Sequence, residues 1–200
     1  MIEVEKKFLL TDAEKERLLE GAEFLGEKTF EDVYYDTKDY DLSSRDKWLR
    51  SRDGVFHLKI SARNAVKRQI SEYHELETEE DIRKELGVQK KKSLKEDIEL
   101  NGFVPFARFI TTRKKYKRGD FAIDLDAADF GYQVGEIELL VPDETGRDAA
   151  VEKIFAFARS IGLPIVPVSG KVIEYIRRKN PKHYEALIAS GTLNWLGSRE

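Results

Sequence analysis

The chain has 200 residues, and 36% of them are charged, yet 35 Lys and Arg nearly balance 38 Asp and Glu for a formal net charge of −3. That length suits one domain with a sizeable buried core, and the near-neutral balance argues against a nucleic-acid binder, which usually carries a strong basic excess. The absence of Cys and the presence of three His exclude disulfides and thiolate metal sites and leave zinc chemistry poorly supplied, so any metal would be a hard cation held by carboxylate oxygens.

The first element is a charged alternation, Glu3-Val4-Glu5-Lys6-Lys7-Phe8. As a strand it points Glu3, Glu5 and Lys7 one way and Val4 and Phe8 the other, because side chains two apart share a face. Thr11 and Glu14 form a capping-box pattern for a helix that runs to Glu20 and stops at Gly21. Residues 29–37, rich in aromatic and β-branched side chains, read as a second strand with Tyr34 and Asp36 on one face. Residues 48–52 and 55–61 read as two strands joined by Asp53-Gly54, a strong two-residue hairpin turn. Residues 63–68 read as a loop, and residues 69–77 alternate again, bringing Tyr73, Glu75 and Glu77 together. Thr78 caps a helix ended by Gly87, and Ser93 with Glu96 caps another turn; the basic run Lys90-Lys91-Lys92 between them reads as a solvated connector. Residues 103–116, 121–126 and 133–141 complete an antiparallel meander of about eight strands. Val151, Ile154, Phe155, Ala158 and Ile161 then follow a helical period, and two further helices cover residues 169–179 and 181–190.

One strand face collects Glu3, Glu5, Lys7, Tyr34, Asp36, Trp48, Arg50, Arg52, Lys59, Tyr73, Glu75, Arg113, Asp124, Asp126, Glu136 and Glu138, while Val4, Phe8, Leu49, Leu58, Ile123 and Ile137 are among those on the other. A solvated sheet face would account for any single charged pair. The whole set is unusual, since such faces mix Thr, Ser and Gln, whereas this one is almost entirely carboxylates, cations and aromatics. The expected fold is therefore α+β: a closed eight-stranded antiparallel β-barrel with the charged face lining its bore and helices packed outside. Residues 1–200 form one domain in this reading, with the C-terminal helices of residues 146–190 on the barrel. Guanidinium and ammonium groups in the bore would bind a polyphosphate. The acids would hold Mg²⁺, with Mn²⁺ as the alternative.

These residues resemble the triphosphate tunnel metalloenzymes, the CYTH superfamily. Glu3-Val4-Glu5-Lys6-Lys7 fits the family's ExExK signature, and Tyr34-Tyr35-Asp36-Thr37, Trp48-Leu49-Arg50-Ser51-Arg52, Leu58-Lys59, Asp124-Leu125-Asp126, Gly135-Glu136-Ile137-Glu138 and Lys171 follow in order. Within the superfamily the chain is most similar to the animal-type thiamine triphosphatase branch. The resemblance implies Mg²⁺-dependent hydrolysis of thiamine triphosphate to the diphosphate and phosphate. It also implies metal binding by Glu3, Glu5, Asp124 and Glu138, with Glu136 nearby, and a triphosphate grip by Lys7, Arg50, Arg52, Lys59, Arg113 and Lys171. Trp48 would stack on the thiazolium. Lys59, paired with Tyr34, would orient or deprotonate the attacking water through a lowered pKa, or else serve as one more phosphate clamp. A tripolyphosphatase without thiamine preference and a non-catalytic binder of polyphosphorylated metabolites are the competing readings. No signal peptide or membrane-spanning run is visible. A cytoplasmic monomer acting on a small molecule, with no nucleic acid and no membrane, is expected.

Overall fold

The computed structural model describes residues 2–61 and 71–193. Its eight strands are β1 (Ile2–Phe8), β2 (Glu23–Asp36), β3 (Lys47–Arg52), β4 (Val55–Ser61), β5 (Ser71–Leu76), β6 (Val104–Arg118), β7 (Phe121–Ala128) and β8 (Tyr132–Val141). All pairings are antiparallel, in the order β1-β5-β4-β3-β2-β6-β7-β8, and the order returns on itself because β1 pairs with β5 on one side and with β8 on the other. The β3–β4 hairpin turns at Asp53 and Gly54, both at positive φ (49° and 87°), the twist that matches two right-handed strands.

β2 begins six residues before the expected start. Its first half, which includes exposed Phe24 and Leu25, overhangs β3 as an edge arm paired only with β6, which β7 holds on its other side; one register shift lies in this arm at Phe24/Gly26 and a second at Tyr34/Tyr35 near the end of the strand. Exposed residues on an arm are under no pressure to alternate, so this part gave no period to read. The expected loop at residues 63–68 and the tail from residue 194 lie outside the described residues.

Helix α1 (Asp12–Leu19) starts from the Thr11–Glu14 capping box, and α3 (Leu94–Leu100) from the Ser93–Glu96 box. Between them in the chain, α2 (Glu79–Leu86) is capped by Thr78 and ends on Gly87 at φ 68°. The outer, apolar strand face packs under helices in two clusters. Val4, Phe8, Ile123 and Ile137 meet Ala150, Ile154 and Ala158 of α4 (Arg147–Ser160). Leu49, Phe56 and Leu58 meet Ile82, Leu94 and Ile98 of α2 and α3. Each fully buried side chain of this size contributes about 1.5–3 kcal/mol.

Helix α5 (Lys171–Lys179) packs differently: its Val172, Ile173 and Ile176 share a cluster with Tyr34 and Trp48. These are inner-face residues, so α5 sits against the interior of the ring rather than on its outer wall. α6 (Pro181–Ala189), capped by Asn180 with Pro181 in its first turn, adds Leu187 to the same cluster. Among the described residues no helix is long and apolar enough to cross a membrane.

Candidate active site

The inner faces of the strands enclose a cavity of about 340 Å³. Strand register builds its walls: Glu5 lies opposite Glu138 and Lys7 opposite Glu136 across β1 and β8, Arg113 opposite Asp126 across β6 and β7, and Lys59 opposite Glu75 across β4 and β5. Lys7, Tyr34, Trp48, Arg50, Arg52, Lys59, Arg113, Glu3, Glu5, Glu136 and Glu138 all line this cavity, as does Lys171 at the start of α5. Asp124, also expected here, is fully buried behind the lining, within oxygen reach of Glu136 and Glu138. Asp36 leaves the set. Its carboxylate accepts the backbone N–H groups of Thr37, Leu42 and Ser43, which folds the loop after β2.

Each of the six expected phosphate-gripping cations is paired with an acid, Lys7 with Glu5 among them. Arg113 makes a bidentate pair with Asp126 at 2.6 and 2.7 Å and reaches Glu136 at 3.0 Å, and the same Asp126 holds Lys171. Arg52 is held bidentately by fully buried Asp32 at 2.8 and 2.9 Å over the Phe30 ring. Glu75 gathers Arg50 at 2.9 Å, the His57 ring at 3.4 Å and Lys59 at 3.7 Å. The two carboxylates whose roles the sequence left open, Asp126 and Glu75, thus brace cations. Asp32 was missed, and His57, which the alternation of residues 55–61 puts on the Lys59 face, was given no role. Asp32 stands two residues before Tyr34 in an alternating strand, so its face was readable.

Charge divides the cavity. Burial by itself would raise the Glu136 carboxyl, but Lys171, Lys7 and Arg113 outweigh it and hold the group well below the usual range. Two residues along the same strand, burial pushes Glu138 well above that range, and Glu136, Glu3, Asp124 and Glu5 add to the push. Burial also raises Asp124, against the opposing pull of Arg113. Both Asp124 oxygens are buried without a hydrogen bond, although the Arg113 guanidinium lies in ionic contact. Glu3, Glu5 and Glu138 form one group whose oxygens approach within 4.8 Å, and Asp124, Glu136 and Glu138 form another. A cluster of carboxylate oxygens, one of them pushed toward its protonated form by burial and its acidic neighbours and another without a hydrogen bond, fits a hard divalent ion.

Lys59 corrects an expectation. Burial alone would lower its pKa, as a general base requires, but Glu5, Glu3 and Glu75 together outweigh burial and Arg50, and the pKa rises above that of an ordinary lysine. Tyr34 is not its partner: it lies opposite Arg50 in the β2–β3 register and acts on that guanidinium, while Lys59 lies opposite Trp48. The sequence located Lys59 on the right face. Its protonation depends on acids brought in from β1 and β5, which no local pattern reveals.

The CYTH domain family matches residues 1–166. The chain belongs to that family. Among curated relatives, this CYTH protein is 35% identical over 210 residues to the thiamine-triphosphatase of Homo sapiens, a match covering 94% of this chain and 90% of the relative, and the thiamine-triphosphatase of Macaca fascicularis matches equally well. Among solved structures, the PH1819 protein from Pyrococcus horikoshii OT3 superposes with a TM-score of 0.60 at 28% identity, covering 81% of this chain and 91% of that one. Lys171 falls beyond the matched family residues, so its place in the CYTH site rests on its approach to Asp126.

Proposed function

We propose that this protein hydrolyses thiamine triphosphate to thiamine diphosphate and phosphate inside a tunnel formed by its closed strand ring, with Mg²⁺ as cofactor. The observation that carries the reading is a cation-rich zone, in which Lys7 and Arg113 meet Glu136 and Lys171 meets Asp126, beside the carboxylate cluster of Glu3, Glu5 and Glu138 within a single cavity. A triphosphate bound to a divalent ion presents the complementary pair of charges, anionic phosphates for the cations and a metal ion for the carboxylates. The curated relatives' name supplies the organic half of the substrate.

In this reading Lys7, Arg50, Arg52, Lys59, Arg113 and Lys171 grip the phosphate oxygens, and their acid braces fix them before substrate arrives, so little reorganisation is needed in the transition state. Glu3, Glu5, Asp124 and Glu138 would hold the metal, which would offset phosphate charge. Lys59 acts as an ammonium clamp rather than a base, and Tyr34 positions Arg50. Trp48 takes the thiazolium face. Water attacks the terminal phosphorus in line, and positioning supplies most of the acceleration. A cytoplasmic monomer serving a small molecule, built as one domain, completes the reading.

Phosphate release from thiamine triphosphate, ATP and tripolyphosphate, each with Mg²⁺ and with EDTA, tests it. The expected result is metal-dependent turnover favouring thiamine triphosphate by about a hundredfold, on the order of 3 kcal/mol. Equal turnover of tripolyphosphate would reassign the enzyme as a tripolyphosphatase, and no turnover would reject hydrolysis.

A further inference from the structure

We propose that Asp46 is a specificity-determining residue that tunes Trp48 for a positively charged aromatic ring; the inference rests on the proposed binding of a thiamine ester beside that indole. Asp46 closes the short 3-10 turn Ser43–Arg45 in the left-handed conformation, at φ 55°. Its backbone is held on both sides: its N–H donates to the Ser43 carbonyl at 3.0 Å, and its own carbonyl accepts from the Ser61 N–H at 3.2 Å. From that fixed point a single carboxylate oxygen, Oδ1, accepts the Trp48 indole N–H at 2.9 Å and the Tyr73 hydroxyl at 3.2 Å. All three side chains line the cavity.

The arrangement has two physical effects. Two donors on one oxygen lock the planes of the indole and the phenol, so a ring entering beside Trp48 meets a surface already in place, and the ordering cost is not charged to binding. A carboxylate accepting the indole N–H also shifts electron density into the ring and places a negative charge beside it. Both strengthen the attraction of the indole face for a cation. A neutral base such as adenine stacks on the same face without that gain, and a bare triphosphate does not use it. Asp46 therefore discriminates between ring charges, whereas the basic rows discriminate by phosphate count.

The test is Asp46→Asn. Asn tolerates the left-handed conformation as well as Asp does, and its carbonyl still accepts from both donors, so the substitution removes charge and keeps shape. The ratio of kcat/KM for thiamine triphosphate to that for tripolyphosphate should fall about tenfold, with the change confined to the KM of the thiamine ester. The ratio to ATP should fall likewise. A second measurement needs no turnover. In a Trp195→Phe background Trp48 is the sole indole, and its fluorescence titrated with thiamine diphosphate should report a Kd about tenfold higher in the Asn variant. An unchanged ratio and Kd would overturn the proposal, and so would equal losses on all three substrates, which would mark Asp46 as merely structural. If the unaltered protein hydrolyses none of the triphosphates, the hydrolase reading fails, while the diphosphate titration still decides the role of Asp46.

Discussion

Replacing Glu138 with Gln should stabilise the metal-free protein above pH 5 and remove its response to metal. In the folded chain Glu138 binds its proton more tightly than in the unfolded chain, because burial and the surrounding carboxylates penalise its charge. A raised native pKa means that the folded state carries the extra proton, so stability is lost as pH climbs from the ordinary carboxylate range toward the native value. Carboxylate oxygens of this group lie within 4.8 Å of one another, and at that distance two charges repel by roughly 3 kcal/mol at an effective dielectric of about 20. Proton retention caps the realised cost, so Glu138→Gln should gain about 1–3 kcal/mol over the unaltered protein at pH 7.5 in EDTA and almost nothing at pH 5. His183, held down to about 4 by burial, makes stability rise with pH up to its unfolded value. That term is common to both proteins and cancels in their difference. Thermal unfolding at pH 5 to 7.5 reads the effect. Mg²⁺ at about a hundred times its Kd should add about 2.7 kcal/mol to the unaltered protein, a rise in Tm of roughly 5–10 °C, and little to the variant. A stability difference that stays flat with pH, or an equal Mg²⁺ shift in both proteins, would refute the placement of a cation at Glu138.

Lys59→Arg should keep activity within about tenfold because it preserves the charge, whereas Lys59→Ala should lose a hundredfold or more; steady-state kinetics from pH 7 to 9 should show no lysine deprotonation limb, and such a limb would restore the base role. Trp48→Ala should lower the ratio of kcat/KM for thiamine triphosphate to that for tripolyphosphate by roughly tenfold, and parallel losses on both substrates would count against stacking. Asp32→Ala strands the Arg52 guanidinium, whose side chain is 19% exposed. The resulting loss is about 2–3 kcal/mol, less than for a fully buried pair, and calorimetry should show Tm falling by roughly 5–10 °C.

Most of the interior was legible because a strand's period is strict. Reading alternate residues put Glu3, Arg50, Lys59 and Glu138 on one face, and the Asp53-Gly54 turn set the β3–β4 register in which Trp48 faces Lys59. The same period placed Lys6 outside, where it is buried with its ammonium on the Val166 carbonyl and its pKa lowered to about 8 by burial and by Lys7. Other features depend on contacts distant in sequence. Asp46 sits in a turn and matters through backbone conformation, for which a single Asp is a weak signal. Helix α5 announces an apolar face, but nothing in its own residues says that the face meets Tyr34 and Trp48 rather than the outer wall. The division of labour among the acids likewise follows from which cations the strand order brings near, as with Asp126, shared by Arg113 and Lys171.

The return of the strand order through β1 bears on how the protein is made. β1 is synthesised before the other seven strands, yet its partners are β5 and β8, the latter ending at Val141. Glu3 and Glu5 therefore wait for most of the chain before Glu138 arrives, opposite Glu5 and within reach of Glu3, and Lys171 comes later still. Pairings so distant in sequence lose chain entropy before any contact rewards them, which makes closure a slow step. Until then a nascent chain carries Glu3 and Glu5 without Glu138, the third carboxylate of their cluster, and the cavity is unformed. Truncation that removes β8 would therefore leave a protein without catalysis rather than one with weakened catalysis.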